Sequence, residues 1–240
     1  MDPLFLRHKA MADAAMPGPN YTRVLAWLHA RLKPRAYLET GVASGKTIVL
    51  AQPETRAVGV DPQPKIAVPL GPNVTIVPAT SDDFFARPDA AELLGRRPVD
   101  LAFIDGMHHF EYALRDFAGI ERLADPRGTI LLHDCYPLDR QTAARERTTV
   151  FWSGDCWRAI LALKKYRPDL AIHTIAAAPT GLAMVRRLDP GSRVLAQRMD
   201  QIVAEFLAVD YAVLEADKAG MLNLFPNDAA RIGELLDSQV

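Results

Sequence analysis

Two short runs of this 240-residue chain set acids beside histidines: Asp105-Gly106-Met107-His108-His109 and His133-Asp134-Cys135. An imidazole titrates near neutrality and can take a proton from a hydroxyl. A third run, Glu39-Thr40-Gly41-Val42-Ala43-Ser44-Gly45, carries two glycines around small residues, and Asp61 follows about twenty residues past the first of them. Glycines let backbone approach a ligand closely, a helix start offers free N–H groups, and an acid at that distance suits the two hydroxyls of a ribose. The third run therefore reads as a site for a nucleoside cofactor.

These residues need elements that bring them together. Ala36-Tyr37-Leu38 is an apolar run closed by Glu39, Thr47 to Leu50 has helical character, and Ala57 to Val60 is a second strand with Asp61 at its end. The prolines from Pro62 to Pro72 make the next connection irregular, with a short helix over 65–68. Val74 to Val77 is a third strand, after which Ser81 or Asp82 can cap a helix carrying Phe84 and Phe85. Val99 to Ile104 is a fourth strand ending in Asp105, followed by a helix to about Leu123. Asp125 to Gly128 is a turn, and Thr129 to Leu132 a fifth strand ending in His133-Asp134. In a doubly wound sheet all these strand ends share one rim, where ligands bind. Successive residues of an extended strand face opposite ways, so only one of His133 and Asp134, here Asp134, is expected to face the ligand.

Outside this unit, Met1 to Pro19 reads as a loose or docking arm, and Asn20 caps a helix from Tyr21 to Leu32. Leu138 to Gly154 is a long loop with Arg140, Arg145 and Arg147, of the kind that forms a lid or touches substrate. Asp155 is expected to cap a helix over 156–166. Strands over 170–175 and 182–186 flank Pro179-Thr180-Gly181, a hairpin signal. A helix over 194–218 presents an apolar stripe for the sheet or for a homodimer contact, and a short turn is expected over 231–236.

Composition narrows the field. At 49% hydrophobic residues the chain can bury a sizeable core. A formal net charge of -1 gives no bulk electrostatic case for nucleic acid. Cys135 and Cys156 make no disulfide framework, and no apolar run approaches a membrane span. A cytoplasmic protein acting on a small molecule, with neither nucleic acid nor membrane as partner, is the expectation.

Three cofactor readings compete for the glycine run. Gly45-Lys46-Thr47 mimics the end of a P-loop, but the position that motif needs as glycine is Thr40. A dinucleotide fold needs a second glycine where Ala43 stands, which also argues against a nicotinamide-dependent oxidoreductase. Glu39-x-Gly41-x-x-x-Gly45 resembles motif I of class I S-adenosylmethionine (SAM)-dependent methyltransferases, and Asp61 resembles their ribose-binding acid. Further on, Phe103-Ile104-Asp105-Gly106-x-His108-x-Phe110-Glu111, with Asp116 and the strand end His133-Asp134, resembles a bacterial methyltransferase-like family marked by F-I-D-G-x-H-x-Y-E and H-D. Phe110 replaces the usual tyrosine.

The resemblance implies an α/β, Rossmann-like doubly wound, mostly parallel seven-stranded sheet with an antiparallel terminal hairpin, plus N- and C-terminal helices. The resemblance covers roughly 36–187; with the residue pattern outside it, the chain is expected to divide into an N-terminal arm and helix over 1–33, a SAM-binding domain over 34–190 and a helical extension over 191–240. SAM would be lined by Glu39, Thr40, Gly41, Ser44, Gly45, Asp61 and Asp105, with Ser81 and Asp82 at the adenine. Related catechol-type O-methyltransferases hold a divalent metal on acids after the fourth and fifth strands, where Asp105 and Asp134 stand. That implies a site of Asp105, His133 and Asp134 for magnesium or a transition metal. Cys135 departs from it, since those enzymes carry asparagine there. They place a basic catalytic residue where His108 lies, which makes His108 the expected general base beside Asp105 and Asp134. The implied activity is methylation of a small polar acceptor, most simply at oxygen. The alternative is a SAM-binding accessory protein that does not catalyse.

Overall fold

Short apolar and β-branched runs form the first five strands of the computed structural model: β1 (Ala36–Thr40), β2 (Arg56–Val60), β3 (Val74–Val77), β4 (Val99–Ile104) and β5 (Ala124–His133). All are mutually parallel where they pair. The structure describes residues 2–238, so residue 1 of the expected arm and residues 239 and 240 of the expected extension lie outside it. The hairpin strands are β6 (Ala171–Ile175) and β7 (Leu182–Arg186), and a two-residue β8 (Leu224–Phe225) follows late in the chain. The sheet order is β3-β2-β1-β4-β5-β7-β6-β8. β7 lies antiparallel between β5 and β6, so the second hairpin strand is the inner one. β8 pairs parallel with β6 and takes the expected seven strands to eight. Two residues are too short a run to signal a strand in the sequence. The expected turn over 125–128 is absorbed into β5, where the register with β4 shifts between Val99 and Leu101.

Helices cover both faces. Most of the expected loose or docking arm is a helix, α1 (Pro3–Ala15): Asp2 caps it by accepting from the Leu4 N–H, and Pro3 sits where a helix tolerates proline. α2 (Tyr21–Leu32) starts at Asn20 as read. The expected helix after the glycine run is a single 3-10 turn, Ile48–Leu50, cut short ahead of Pro53. No helix forms over 65–68, because the N–H groups of Lys65 and Ala67 bond the Ala43 and Ser44 carbonyls instead. α3 (Ser81–Ala86) is capped by Thr80, not by Ser81 or Asp82. After α4 (Ala90–Leu93) come α5 (Phe110–Glu121) and α6 (Trp157–Tyr166). The expected 194–218 helix breaks into α7 (Val194–Leu207), α8 (Tyr211–Ala216) and α9 (Lys218–Met221), with Asp210 capping the second piece. α10 (Ala229–Asp237), capped by Asp228, exceeds the expected turn.

The pleat deals alternate residues to two cores. Tyr37, Leu101, Phe103 and Leu131 meet Leu25 and Leu28 of α2 and Ile232 and Leu236 of α10. Leu38, Ala102 and Ile130 meet Leu114 and Phe117 of α5, Ile160 of α6, and Ile202 and Phe206 of α7. Among the described residues no helix is long and apolar enough to cross a membrane.

Candidate active site

Register sets the rim. Thr40 pairs with Val60 and with Ile104, and Val60 pairs with Val77, so four strands end level. Gly41, Asp61 and Asp105 are the next residues along. The chain winds outward from β1 to β3 and returns at β4, and such a switch point opens the ligand crevice. Gly41 has φ +85, and a Cβ there would meet the Asp105 carbonyl at 2.1 Å, so only glycine lets the two strand ends approach. Asp61 is half-buried and oriented by backbone: Oδ2 accepts from the Ala43 N–H at 2.8 Å and Oδ1 from the Gln63 N–H at 2.7 Å. A carboxylate has lone pairs to spare beyond these two bonds.

The other residues expected at the cofactor are placed variously. Glu39 is fully enclosed and turned inward, accepting from Tyr37 Oη and Thr47 Oγ1, each at 2.7 Å. Burial pushes its carboxyl up to about 8 against the lowering pull of those bonds. It ties β1 to the turn beneath the cofactor rim. Gly45 is buried under Ile66 and Val68, and the Ser44 carbonyl is bonded by Ala67. Ser81 opens α3, while Asp82 is exposed and paired with Arg115 at 2.7 Å. Thr40 is buried at the end of β1. Asp116 is buried beneath this rim, with Oδ2 3.6 Å from where a Cβ on Gly106 would stand. Burial pushes its carboxyl up to about 6, against the lowering pull of the nearby Ser81 and Thr40 side chains.

Asp105, His108, His133 and Asp134 converge. His133 Nδ1 shares a 3.0 Å hydrogen bond with Asp105 Oδ1 and lies 3.3 Å from Asp134 Oδ2. His108 Nδ1 lies 3.0 Å from Asp134 Oδ2, and its Nε2 3.5 Å from Asp105 Oδ1. The Thr180 hydroxyl donates to Asp134 Oδ1. The expectation that His133 and Asp134 face opposite ways fails because the pleat stops: Asp134 has φ +59, which turns its side chain back to the histidine's side. His108 is left-handed too, at φ +54. Such backbone persists only where its surroundings hold it. Burial would lower both imidazole pKa values, but Asp134 and Asp105 outweigh it; His108 is raised and His133 raised well above the ordinary value. The two histidines in turn hold Asp134 below the usual carboxylate range, against burial.

Sequence reasoning missed what holds this cluster from above. The end of the 138–154 loop clamps His108: the Asp155 N–H bonds its carbonyl at 3.2 Å, and a Cβ on Gly154 would stand 1.8 Å from that oxygen. Asp155 does not cap α6. Its buried carboxylate accepts from the Phe110 N–H and pairs with Arg145 and Arg158. Arg145 also pairs with Glu111 at 2.6 Å, which gives the acid of the Phe-Glu pair a structural task. Trp152 stacks on His108, ring centroids 5.0 Å apart, and Tyr21 from α2 lies 4.0 Å from His133. His8 of α1 bonds Asp139 at the start of the loop and Thr149 towards its end. His109 bonds the Arg145 carbonyl and stays outside the cluster. Cys135 is buried with its thiol on the Leu132 and His133 carbonyls, so it offers no ligand to the rim.

Metal fit follows from these atoms. Asp105, His108 and Asp134 each present one donor atom within 4.8 Å of the others. His108 Nδ1 and Asp134 Oδ2 are buried, near each other, yet out of line for a hydrogen bond. Two orphaned donors side by side suit a cation. Two carboxylates and an imidazole favour a transition metal over magnesium. His108, not the expected His133, completes this triad, while His133 bonds two of its members.

Residues 38–135 match the family model described as a methyltransferase domain. No curated protein matches the chain. Among solved structures, cofactor-bound Rv0187 from MTB is 21% identical, with TM-score 0.55 over 79% of this chain and 92% of that one. An O-methyltransferase from Bacillus cereus in complex with SAH (S-adenosylhomocysteine) is 16% identical, with TM-score 0.51 over 77% and 90%. The O-methyltransferase TomG from Streptomyces achromogenes in complex with SAM is 16% identical, with TM-score 0.53 over 78% and 90%. The matched segment is thus similar to a methyltransferase domain, and the chain shares its fold, with the rim at the ends of β1, β2 and β4, with these solved structures.

Proposed function

We propose that the protein methylates an oxygen of a small hydroxylated acceptor, with SAM as donor. One observation carries the reading: Asp105, His108, His133 and Asp134 converge on a pocket that opens beside the rim where Asp61 and Gly41 lie. The named O-methyltransferases of like fold support it.

Bound SAM would supply an electrophilic methyl group, and Gly41, Ala43, Asp61, Ser81 and Asp105 are the residues that would hold it. Asp61, fixed by two backbone N–H groups, is set to grip the ribose hydroxyls. In-line displacement depends chiefly on positioning, which rigid strand ends provide. An acceptor hydroxyl must lose its proton, and His108 in its neutral form takes it at a ring nitrogen. Asp134 and Asp105 orient that ring and stabilise the imidazolium that results. Trp152 packs on His108 and Tyr21 on His133, which holds the two rings in place. Asp105, His108 and Asp134 could alternatively hold a divalent ion, which would supply Lewis acidity toward the acceptor oxygen in place of the base role of His108.

The test is SAH release from SAM with a panel of hydroxylated small molecules. His108→Ala and Asp105→Ala are each expected to lower turnover by roughly a hundredfold or more. An accessory protein would bind SAH yet show only background release that neither substitution changes.

A further inference from the structure

The 138–154 loop carries three arginines, and two are committed. Arg140 pairs with Asp210, and Arg145 with Glu111 and Asp155. Arg147 is exposed and makes no side-chain hydrogen bond or ion pair among the described residues; its guanidinium rests 5.9 Å from the Trp152 ring. It lines a cavity of about 300 Å³ whose floor is Asp105, His108, His133 and Asp134 and whose walls are Tyr21, Phe151, Trp152 and Pro179. That volume lies at the small end of ligand sites, roughly 300 to 1,000 Å³. It is large enough for a single ring.

The walls and the mouth ask for different things. Three aromatic rings offer flat faces for a planar ring. On the floor, two carboxylates face two imidazoles, so a ligand's negative charge finds no unpaired cation there. The free guanidinium at the mouth is the available counter-ion, and its planar fork matches a carboxylate.

We propose that the acceptor is a hydroxylated aromatic ring bearing an anionic group such as a carboxylate, and that Arg147 determines this specificity. The ring slots between Trp152, Phe151 and Tyr21, its hydroxyl reaches His108, and its anionic group meets Arg147. This assignment rests on the methyl-transfer reading of the same site.

The experiment is calorimetry on the full-length protein saturated with SAH. The ligands are 3- and 4-hydroxybenzoate, their amides, and glucuronate as a non-aromatic acid. At least one hydroxybenzoate is expected to bind roughly ten- to a hundredfold more tightly than its amide. Arg147→Gln should erase that preference with SAH affinity unchanged, and Arg147→Lys should keep part of it. Equal binding of acid and amide, a preference that survives in Arg147→Gln, or glucuronate binding as tightly as the hydroxybenzoates would overturn the proposal. So would a protein that binds SAH but none of these ligands, and the methyl-transfer reading would still stand. A protein that takes up no SAH removes that reading and the acceptor class with it.

Discussion

His108 and Asp134 meet because both leave ordinary backbone conformation at the same rim. Each is left-handed, at φ +54 and +59, and Nδ1 of one lies 3.0 Å from Oδ2 of the other. They come from different strand ends, after β4 and β5, so the sheet fixes their spacing and two strained residues fix their aim. Histidine and aspartate tolerate this region better than most residues. Holding it still requires outside support, which the loop supplies through Gly154 and Asp155.

Gly154 is therefore a positioning residue. It has φ +60, and an added Cβ would collide with the His108 carbonyl. Gly154→Ala should destabilise the fold by about 1–3 kcal/mol. Turnover should fall by on the order of a hundredfold through displacement of His108. SAH affinity, measured by calorimetry, should stay close to wild type, since the loop does not touch Asp61.

Ionisation of the cluster gives a stability profile with a definite sign. His108 and His133 have raised pKa values in the folded state, relative to 6.5 unfolded. Their contribution is full below about pH 6.5 and is lost as pH climbs through the raised values. Asp134, lowered relative to 3.8, contributes above that pH and loses its share only in strong acid. In chelator, wild-type Tm should fall as pH rises above 6.5, and His133→Gln should flatten that fall. Equal slopes for the two proteins would count against the ion-pair cluster. Turnover should run the other way and rise with pH, because His108 must be neutral to accept a proton.

Metal binding can be read without turnover. Titration with Mn²⁺ followed by electron paramagnetic resonance should show one site, weakened by His108→Ala and by Asp134→Asn. Its affinity should grow with pH as protons leave the imidazole. Cys135→Ser should leave it unchanged, since that thiol faces the Leu132 and His133 carbonyls. Retention of full Mn²⁺ affinity in His108→Ala would show that the triad is misassigned.

α1 should act on the acceptor side only. His8 is buried, and its two ring nitrogens bond Thr149 and Asp139, while Phe5 packs on Phe151 at 5.3 Å. His8→Ala leaves those loop groups without their partner, at a cost of about 1–3 kcal/mol. The acceptor KM should rise, and SAH affinity should not move.

Much of this was legible in residue order. The strand ends carrying Gly41, Asp61, Asp105 and Asp134 follow from short apolar runs closed by acids, because parallel strands bury both faces and end at one rim. The two left-handed residues were not legible, since nothing in His133-Asp134 says where the pleat stops. The helix within the expected loose or docking arm is less legible: Asp2-Pro3 is a helix-start signal, but Pro17-Gly18-Pro19 reads only as a stop. The task of Glu111 and the clamp at Gly154 rest on contacts across 34 residues between Glu111 and Arg145 and across 46 between His108 and Gly154. Local pattern carries no such information. Glu39 shows the reverse: its place in motif I was plain, but its inward bonds to Tyr37 and Thr47 appear only once β1 is packed.

The measurement that bears most directly on the account is titration of SAH into wild type and Asp61→Ala by calorimetry. The account predicts one site per chain in wild type. In the variant it predicts a loss of roughly ten- to a hundredfold, the worth of a carboxylate's hydrogen bonds to ribose. No heat of binding in wild type, or equal affinity in the two proteins, would contradict it.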